Sequence, residues 1–202
     1  MAFETYVAPN TAFIFGLDDV LYPEKDYLLQ VYYLFSEFME YSAQLNAKAI
    51  TDFMQLEYTH HGSVNIFEKT AAKFDIQEKY KSNFLLLHEN AHLPLKLLLF
   101  QKILSFLQAI VMDRKKIYLI VSGNKLVQLN KIKQMEWHGL EHYLKVYFSQ
   151  ELELSLTANS IDFIIDQNQL KKEEVLFVGS KLEEQKAAQN AGIEFLQVTK
   201  LL

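Results

Sequence analysis

Residues 12–23 read Ala12-Phe13-Ile14-Phe15-Gly16-Leu17-Asp18-Asp19-Val20-Leu21-Tyr22-Pro23. An apolar run rich in aromatic and branched side chains leads into two acids and then meets a proline. A short run of this kind, closed by a turn signal, predicts a strand buried on both faces that delivers its last residues to a loop. In an open α/β sheet, ligands bind outside the carboxyl ends of the strands. Asp18 and Asp19 are therefore candidates for a polar site, and equally for caps of the following turn.

Outward from this stretch the pattern changes twice. From Pro23 to about residue 112 it is helical: Tyr27, Val31, Leu34, Phe35, Phe38 and Met39 recur near helical spacing. Their aromatic density predicts a packed core or the lining of a helical cap. His60-His61-Gly62-Ser63 reads as a helix end, with Gly62 as C-cap and Ser63 as the next N-cap. Further helices are expected over 64–75, 77–89 and 95–112, with a break at Pro94. Beyond Lys116, strands expected at 117–121, 144–148, 175–178 and 193–198 alternate with helices at 125–137, 159–167 and 182–190. Alternation of this kind predicts a parallel sheet with helical crossovers.

Composition narrows the classes. The 202 residues carry a formal net charge of -5 and no basic block, which argues against nucleic acid and anionic membrane as partners. There is no cysteine, so disulfides, thiolate zinc sites and cysteine nucleophiles are excluded. Residues 1–10 lack the charged-then-apolar pattern of a signal peptide. The apolar stretch 93–112 is interrupted by Lys96, Gln101 and Lys102 and is too charged to span a bilayer. A cytoplasmic protein is expected.

Gly16-Leu17-Asp18, followed by Val20 and Leu21, resembles the first motif of the haloacid dehalogenase superfamily, an apolar strand then Asp-x-Asp. Ser122, after the run Ile117-Tyr118-Leu119-Ile120-Val121, resembles the second motif, where Ser or Thr holds the phosphoryl group. Counting from Tyr147-Phe148-Ser149-Gln150-Glu151 places the third-motif Lys-Pro on Ser155 and Leu156. Glu173-Glu174-Val175-Leu176-Phe177-Val178-Gly179 precedes the fourth motif, whose acids fall on Ser180 and Glu184. The resemblance implies a Rossmann-like α/β core of parallel strands flanked by helices, residues 1–22 and 113–202, with an all-helical cap inserted at 23–112.

The resemblance also implies what the chemistry needs: a carboxylate nucleophile, an acid/base two residues later, a charge-balancing lysine, and carboxylates holding Mg²⁺. Gly16 stands at the nucleophile and metal position, Ser155 at the lysine and Ser180 at the main fourth-motif acid. Asp18 keeps the acid/base position, and Glu184 is a longer stand-in. Glycine has no side chain to attack with. Were Asp18 to attack, Val20 would stand where a general acid is needed. Mg²⁺, the cofactor of active relatives, is therefore expected to be lost, leaving degenerate positions Gly16, Ser180 and Glu184. Ser122-Gly123-Asn124 opens a helix, where it is either an N-cap or a set of amides able to bind an anion. Lys181 is either an exposed lysine or a cation in the former metal position.

His88-Glu89-Asn90-Ala91-His92 matches His-Glu-x-x-His, and His138-Gly139-Leu140-Glu141-His142 its inverted form, both known from zinc proteases. Pro94 just beyond one string and Gly139 inside the other oppose the unbroken helix that such sites need. The expected protein is a degenerate family member acting in binding or regulation. The alternatives are an active hydrolase of small phosphorylated metabolites with a rearranged site, or a scaffold binding a protein through its aromatic cap. The expected ligand is a small anion or phosphorylated molecule.

Overall fold

The computed structural model describes residues 3–152 and 156–202. Ser155, the expected lysine position, lies outside them. Five strands form one sheet: β1 (Ala12–Phe15), β2 (Lys116–Val121), β3 (Leu144–Phe148), β4 (Val175–Gly179) and β5 (Glu194–Gln197). Their spatial order is β3-β2-β1-β4-β5, and every neighbouring pair is parallel. The expected parallel sheet is present, with β1 at its centre. Phe15 lies opposite Leu119 on one side and Val178 on the other. The chain leaves β1 in one direction for β2 and β3, then returns past it for β4 and β5. A crevice at such a switch point is where open α/β sheets bind ligands.

Side-chain alternation explains why β1 is apolar throughout. Ile14 points to one face, where it joins Ile120 and Phe177 of the sheet with Ile161 and Ile164 of helix α7 (Ala158–Gln167) and Ala188 of helix α8 (Leu182–Ala191). Phe13 and Phe15 point to the other face. There Phe106, on helix α5 (Gln101–Met112), meets them with ring centroids 5.6 and 6.0 Å away in edge-on geometry. Both faces are covered by helices, so no residue of β1 reaches solvent.

The chain divides into two compact units, one of Met1–Pro23, Leu98–Gln128 and Met135–Leu202, the other of Glu24–Leu97 and Leu129–Gln134. The expected boundary at 112 moves to about 97. Helix α5 belongs to the sheet unit because its apolar face is buried on β1 through Phe106. It also begins at Gln101, not at 95, because Phe100 donates its N–H to the Leu21 carbonyl at 2.8 Å and so returns the chain to the loop after β1.

The second unit holds helices α1 (Glu24–Ala43), α2 (Ala47–His61), α3 (Ile66–Phe74) and α4 (Lys81–Asn90), together with the second half of helix α6 (Lys125–Gln134). Asn46 caps α2 by accepting from the Ala49 N–H at 2.8 Å. Gly62 ends α2, donating to the Tyr58 carbonyl at 2.9 Å, as expected. The N-cap of α3 is Asn65 and not Ser63, whose carbonyl instead accepts from the Ile66 N–H. The aromatic density of α1 builds a core: Phe35 lies 5.1 Å from Phe84 and 5.9 Å from Phe67. Lys131 is buried with Glu24 Oε1 at 3.1 Å and lies 4.9 Å from the Tyr27 ring centroid. Among the described residues no helix is long and apolar enough to cross a membrane.

Two stability measurements check this packing. Phe106→Ala removes a fully buried ring that meets Phe13 and Phe15, and should cost about 3–5 kcal/mol, read as a fall in the urea midpoint at unchanged slope. The second concerns acid. Burial, reinforced by the Lys131 charge, lowers the His88 imidazole from 6.5 to about 4. The fold therefore holds it neutral while the unfolded chain takes up a proton, so stability falls as pH drops from about 6.5 towards about 4. The loss should be on the order of 3 kcal/mol, and His88→Phe should flatten it in urea titrations across that window.

Candidate functional site

The carboxyl ends of β1 and β4 meet directly. The Gly16 N–H donates to the Val178 carbonyl at 3.1 Å, which sets Gly16 beside Gly179 at the sheet's edge. Beyond Gly16 the chain folds into a turn in which Leu21 N–H bonds Leu17 O at 3.0 Å and Asp19 N–H bonds Tyr22 O at 3.0 Å. Asp19 sits at φ 58, a left-handed conformation that Asp adopts more readily than most residues. This turn aims Asp18 back over the sheet.

Asp18 is buried at 7% exposure, and its carboxylate has named partners. Oδ1 accepts from the Tyr22 hydroxyl at 2.7 Å, and Oδ2 from Gln128 Nε2 at 3.4 Å. The same Gln128 nitrogen donates to the Ser122 carbonyl at 2.8 Å. That fixes the amide's orientation, since a flip would turn its oxygen on two acceptors. Gln128 Oε1 is buried with no protein donor among the described residues. Neither Tyr22 nor Gln128 stood out in the sequence. Tyr22 reads as part of the apolar run, and Gln128 is an ordinary residue of a helical turn until α6 rises past Asp18.

Glu184 occupies the space that Gly16 leaves. It lies in the first turn of α8, is buried at 6% exposure, and accepts at Oε2 from the backbone N–H groups of Ser180 at 2.8 Å and Lys181 at 2.9 Å. A Cβ built on Gly16 would overlap Glu184 Oε1 and come within 3.2 Å of its Cδ. One built on Gly179 would approach Oε2 to 2.7 Å. The absent side chain at Gly16 thus leaves room for this carboxylate, while Gly179 clears both it and the Phe195 ring, whose Cε2 a Cβ there would approach to 2.7 Å. Burial raises the Glu184 carboxyl above its usual range, and the two amides oppose that rise.

The remaining expected positions fall as follows. Ser180 bonds the Asp18 carbonyl through Oγ at 3.3 Å, so the first and fourth motifs are joined by neutral groups. Lys181 is exposed, and the part of it that meets Glu184 is its backbone N–H. Ser122 comes to the same region, while Asn124 is an N-cap: its Oδ1 accepts from Leu126 N–H at 2.8 Å and Val127 N–H at 3.2 Å. Gln150 Oε1 takes the Lys125 N–H at 3.1 Å. The cavity bounded by Leu17, Asp18, Ser122, Gln128, Lys181 and Glu184 measures about 20 Å³, room for about one water molecule.

The histidine strings do not form sites. Helix α4 ends at Asn90, so His88 and His92 share no helix face. The His88 ring lies 4.8 Å from Phe84 in the core, and His92 is exposed. His138 and His142 are both exposed, on either side of the left-handed Gly139. Among the described residues no three His, Cys, Asp or Glu side chains gather as a metal site.

With that geometry in view, comparisons with known proteins agree on the architecture. A protein from Thermotoga maritima described as a candidate beta-phosphoglucomutase superposes with a TM-score of 0.65 at 16% identity, over 91% of this chain and 83% of its own. The magnesium-bound candidate HAD-hydrolase YfnB of Bacillus subtilis gives 0.62 at 14% identity, over 92% and 85%. A hydrolase from Streptococcus pneumoniae TIGR4 gives 0.56 at 15% identity, over 93% and 92%. At such identities the likeness establishes the fold. No curated protein sequence matches the chain. The family model for haloacid dehalogenase-like hydrolases matches residues 13–198, from β1 through the end of β5. Sheet order, motif positions and that match converge: the chain belongs to the haloacid dehalogenase-like hydrolase family.

Proposed function

We propose that this family member does not hydrolyse phosphate esters and serves as a binding or regulatory protein. The observation that carries this reading is the pair Gly16 and Glu184. The nucleophile position has no side chain, and its space is filled by a carboxylate held on two backbone amides. A displacement at phosphorus needs an attacking group in line with the leaving oxygen and a proton donor for that oxygen. Asp18 is available for the second role only. A phosphoryl group is several times larger than the single water that the cavity admits. The amides of Lys125, Leu126 and Val127, which could have held an anion at the start of α6, already bond Gln150 and Asn124. A small anionic or phosphorylated ligand would therefore have to displace protein groups to enter.

The residues present do not fit Mg²⁺. That ion needs near-octahedral oxygen ligands at about 2.1 Å, normally including one or two carboxylates. At the family's metal positions this chain offers Gly16, the Asp18 carbonyl and Ser180, and the last two are bonded to each other. Of the acids lining the cavity, the Asp18 carboxylate is engaged by Tyr22 and Gln128, and Glu184 Oε2 by the Ser180 and Lys181 N–H groups. We read the site as one that has exchanged metal-holding carboxylates for internal hydrogen bonds.

Turnover is the direct test. Highly purified protein assayed against a broad panel of phosphate esters with added Mg²⁺ should stay at background. In an unrelated hydrolase, loss of the nucleophile costs on the order of a millionfold. Robust hydrolysis abolished by Asp18→Asn would establish an active, rearranged site instead. Gly16→Asp should not restore activity, and it should lower the melting temperature because the new side chain meets Glu184. Titration calorimetry with millimolar Mg²⁺ should give no binding heat; stoichiometric binding would show a site still built for metal.

A further inference from the structure

We propose that the outer face of α4 is a two-fold contact on which a second copy of this chain docks. Phe84 and His88 turn inward, to the Phe35 ring and to each other. Away from that core side, Asn83, Leu86, Leu87 and Asn90 fall at i, i+3, i+4 and i+7 and form one stripe. The stripe is the same in either chain direction: Asn, Leu, Leu, Asn. A two-fold contact is isologous, each patch meeting a copy of itself. An antiparallel pair of α4 helices sets Asn83 against Asn90 of the other copy at both ends, with Leu86 against Leu87 between them. An Asn side chain carries a donor and an acceptor, so two facing amides satisfy each other. Among the described residues neither of these amides is bonded within the chain.

The stripe also borders a hollow. With Phe38 of α1 and Ala91 it lines a cavity of about 230 Å³, and Leu86 on its wall is 52% exposed. Four side chains at this spacing are the hole that takes a knob from a facing helix; the knob is Leu86 of the other copy. Helix α4, 10 residues and so about 15 Å long, is too short by itself for a specific interface, which takes roughly 800 Å² from each partner. The apolar surface continues beyond it. Leu34 and Phe38 are half-buried on α1, and Tyr41, one turn further, is 91% exposed. Leu95, 70% exposed, is fixed beside α1 by its N–H, which donates to Gln30 Oε1 at 2.7 Å. Leucine and aromatic side chains with uncharged amides among them, and no charge within the stripe, have the composition of an interface core.

The test is sedimentation over a concentration series, and its outcome does not depend on whether the chain hydrolyses an ester. The wild type should pass from the monomer to a species of twice the mass. Leu86→Glu changes an exposed position and sets two acids face to face across the two-fold axis. It should weaken association by roughly tenfold or more, with an unchanged far-ultraviolet circular dichroism spectrum. Cross-linking reads the register, since the chain has no cysteine of its own. A disulfide needs Cα atoms within about 7 Å. On oxidation, a mixture of Asn83→Cys and Asn90→Cys should therefore form a linked dimer faster than either variant alone, because antiparallel pairing brings Asn83 to Asn90 and keeps each from its own copy. A wild type that stays monomeric at every concentration, leaving the face to a different protein, would overturn the proposal. So would a dimer indifferent to Leu86→Glu, or cross-linking as fast in either single variant as in the mixture.

Discussion

Strand β1 is hydrogen-bonded along both edges, to β2 on one side and β4 on the other, and that double pairing places everything at the candidate site. Three separate stretches of chain end at one edge because their strands run parallel in a common register. Gly16, Ser122 and Ser180 are remote in sequence and neighbours only through this ladder. The apolar faces hold the register. A slip by one residue would send Phe13 and Phe15 to the face where Ile14 now packs with Ile161 and Ile164, and would strand Phe106.

At the carboxyl end of that ladder, a set of hydrogen bonds ties Asp18, Glu184 and their neighbours to one another. Tyr22 and Gln128 hold the Asp18 carboxylate, Ser180 holds its carbonyl, and Glu184 closes on the amides of the fourth motif. Of the polar groups beside that cavity, Gln128 Oε1 alone is buried without a protein donor among the described residues. Burying an acid costs desolvation free energy, and the raised Glu184 carboxyl records it. The two amides offset part of that cost.

The helical unit is organised on a different principle. Its centre is the Phe35, Phe67 and Phe84 cluster, with the His88 ring against Phe84. The Tyr27 hydroxyl and the Asn130 amide both donate to the His88 carbonyl, at 2.5 and 3.3 Å. Asn130 and Gln134 also reach the Ala91 carbonyl at 3.2 and 3.1 Å. These bonds satisfy the carbonyls at the end of α4, where a helix leaves acceptors unpaired. Ala91, which follows α4, is already extended (φ -63, ψ 137), so the first histidine string does not continue as a helix.

The amino-acid sequence by itself determined the sheet, the strand at residues 12–15, the alternation after Lys116 and the absence of a side chain at Gly16, because local periodicity and residue identity carry that information. It also placed Glu184 near the fourth motif. It left open whether Asn124 was a cap or part of an anion site, and it set the unit boundary at 112 where the packing of Phe106 sets it near 97. Only the tertiary structure decided what fills the space above Gly16. A missing side chain is visible in a sequence, whereas the atom that moves into its place comes from another strand's helix, 168 positions along the chain. Contacts between such distant segments follow from register and packing, and these exist only once the strands have paired.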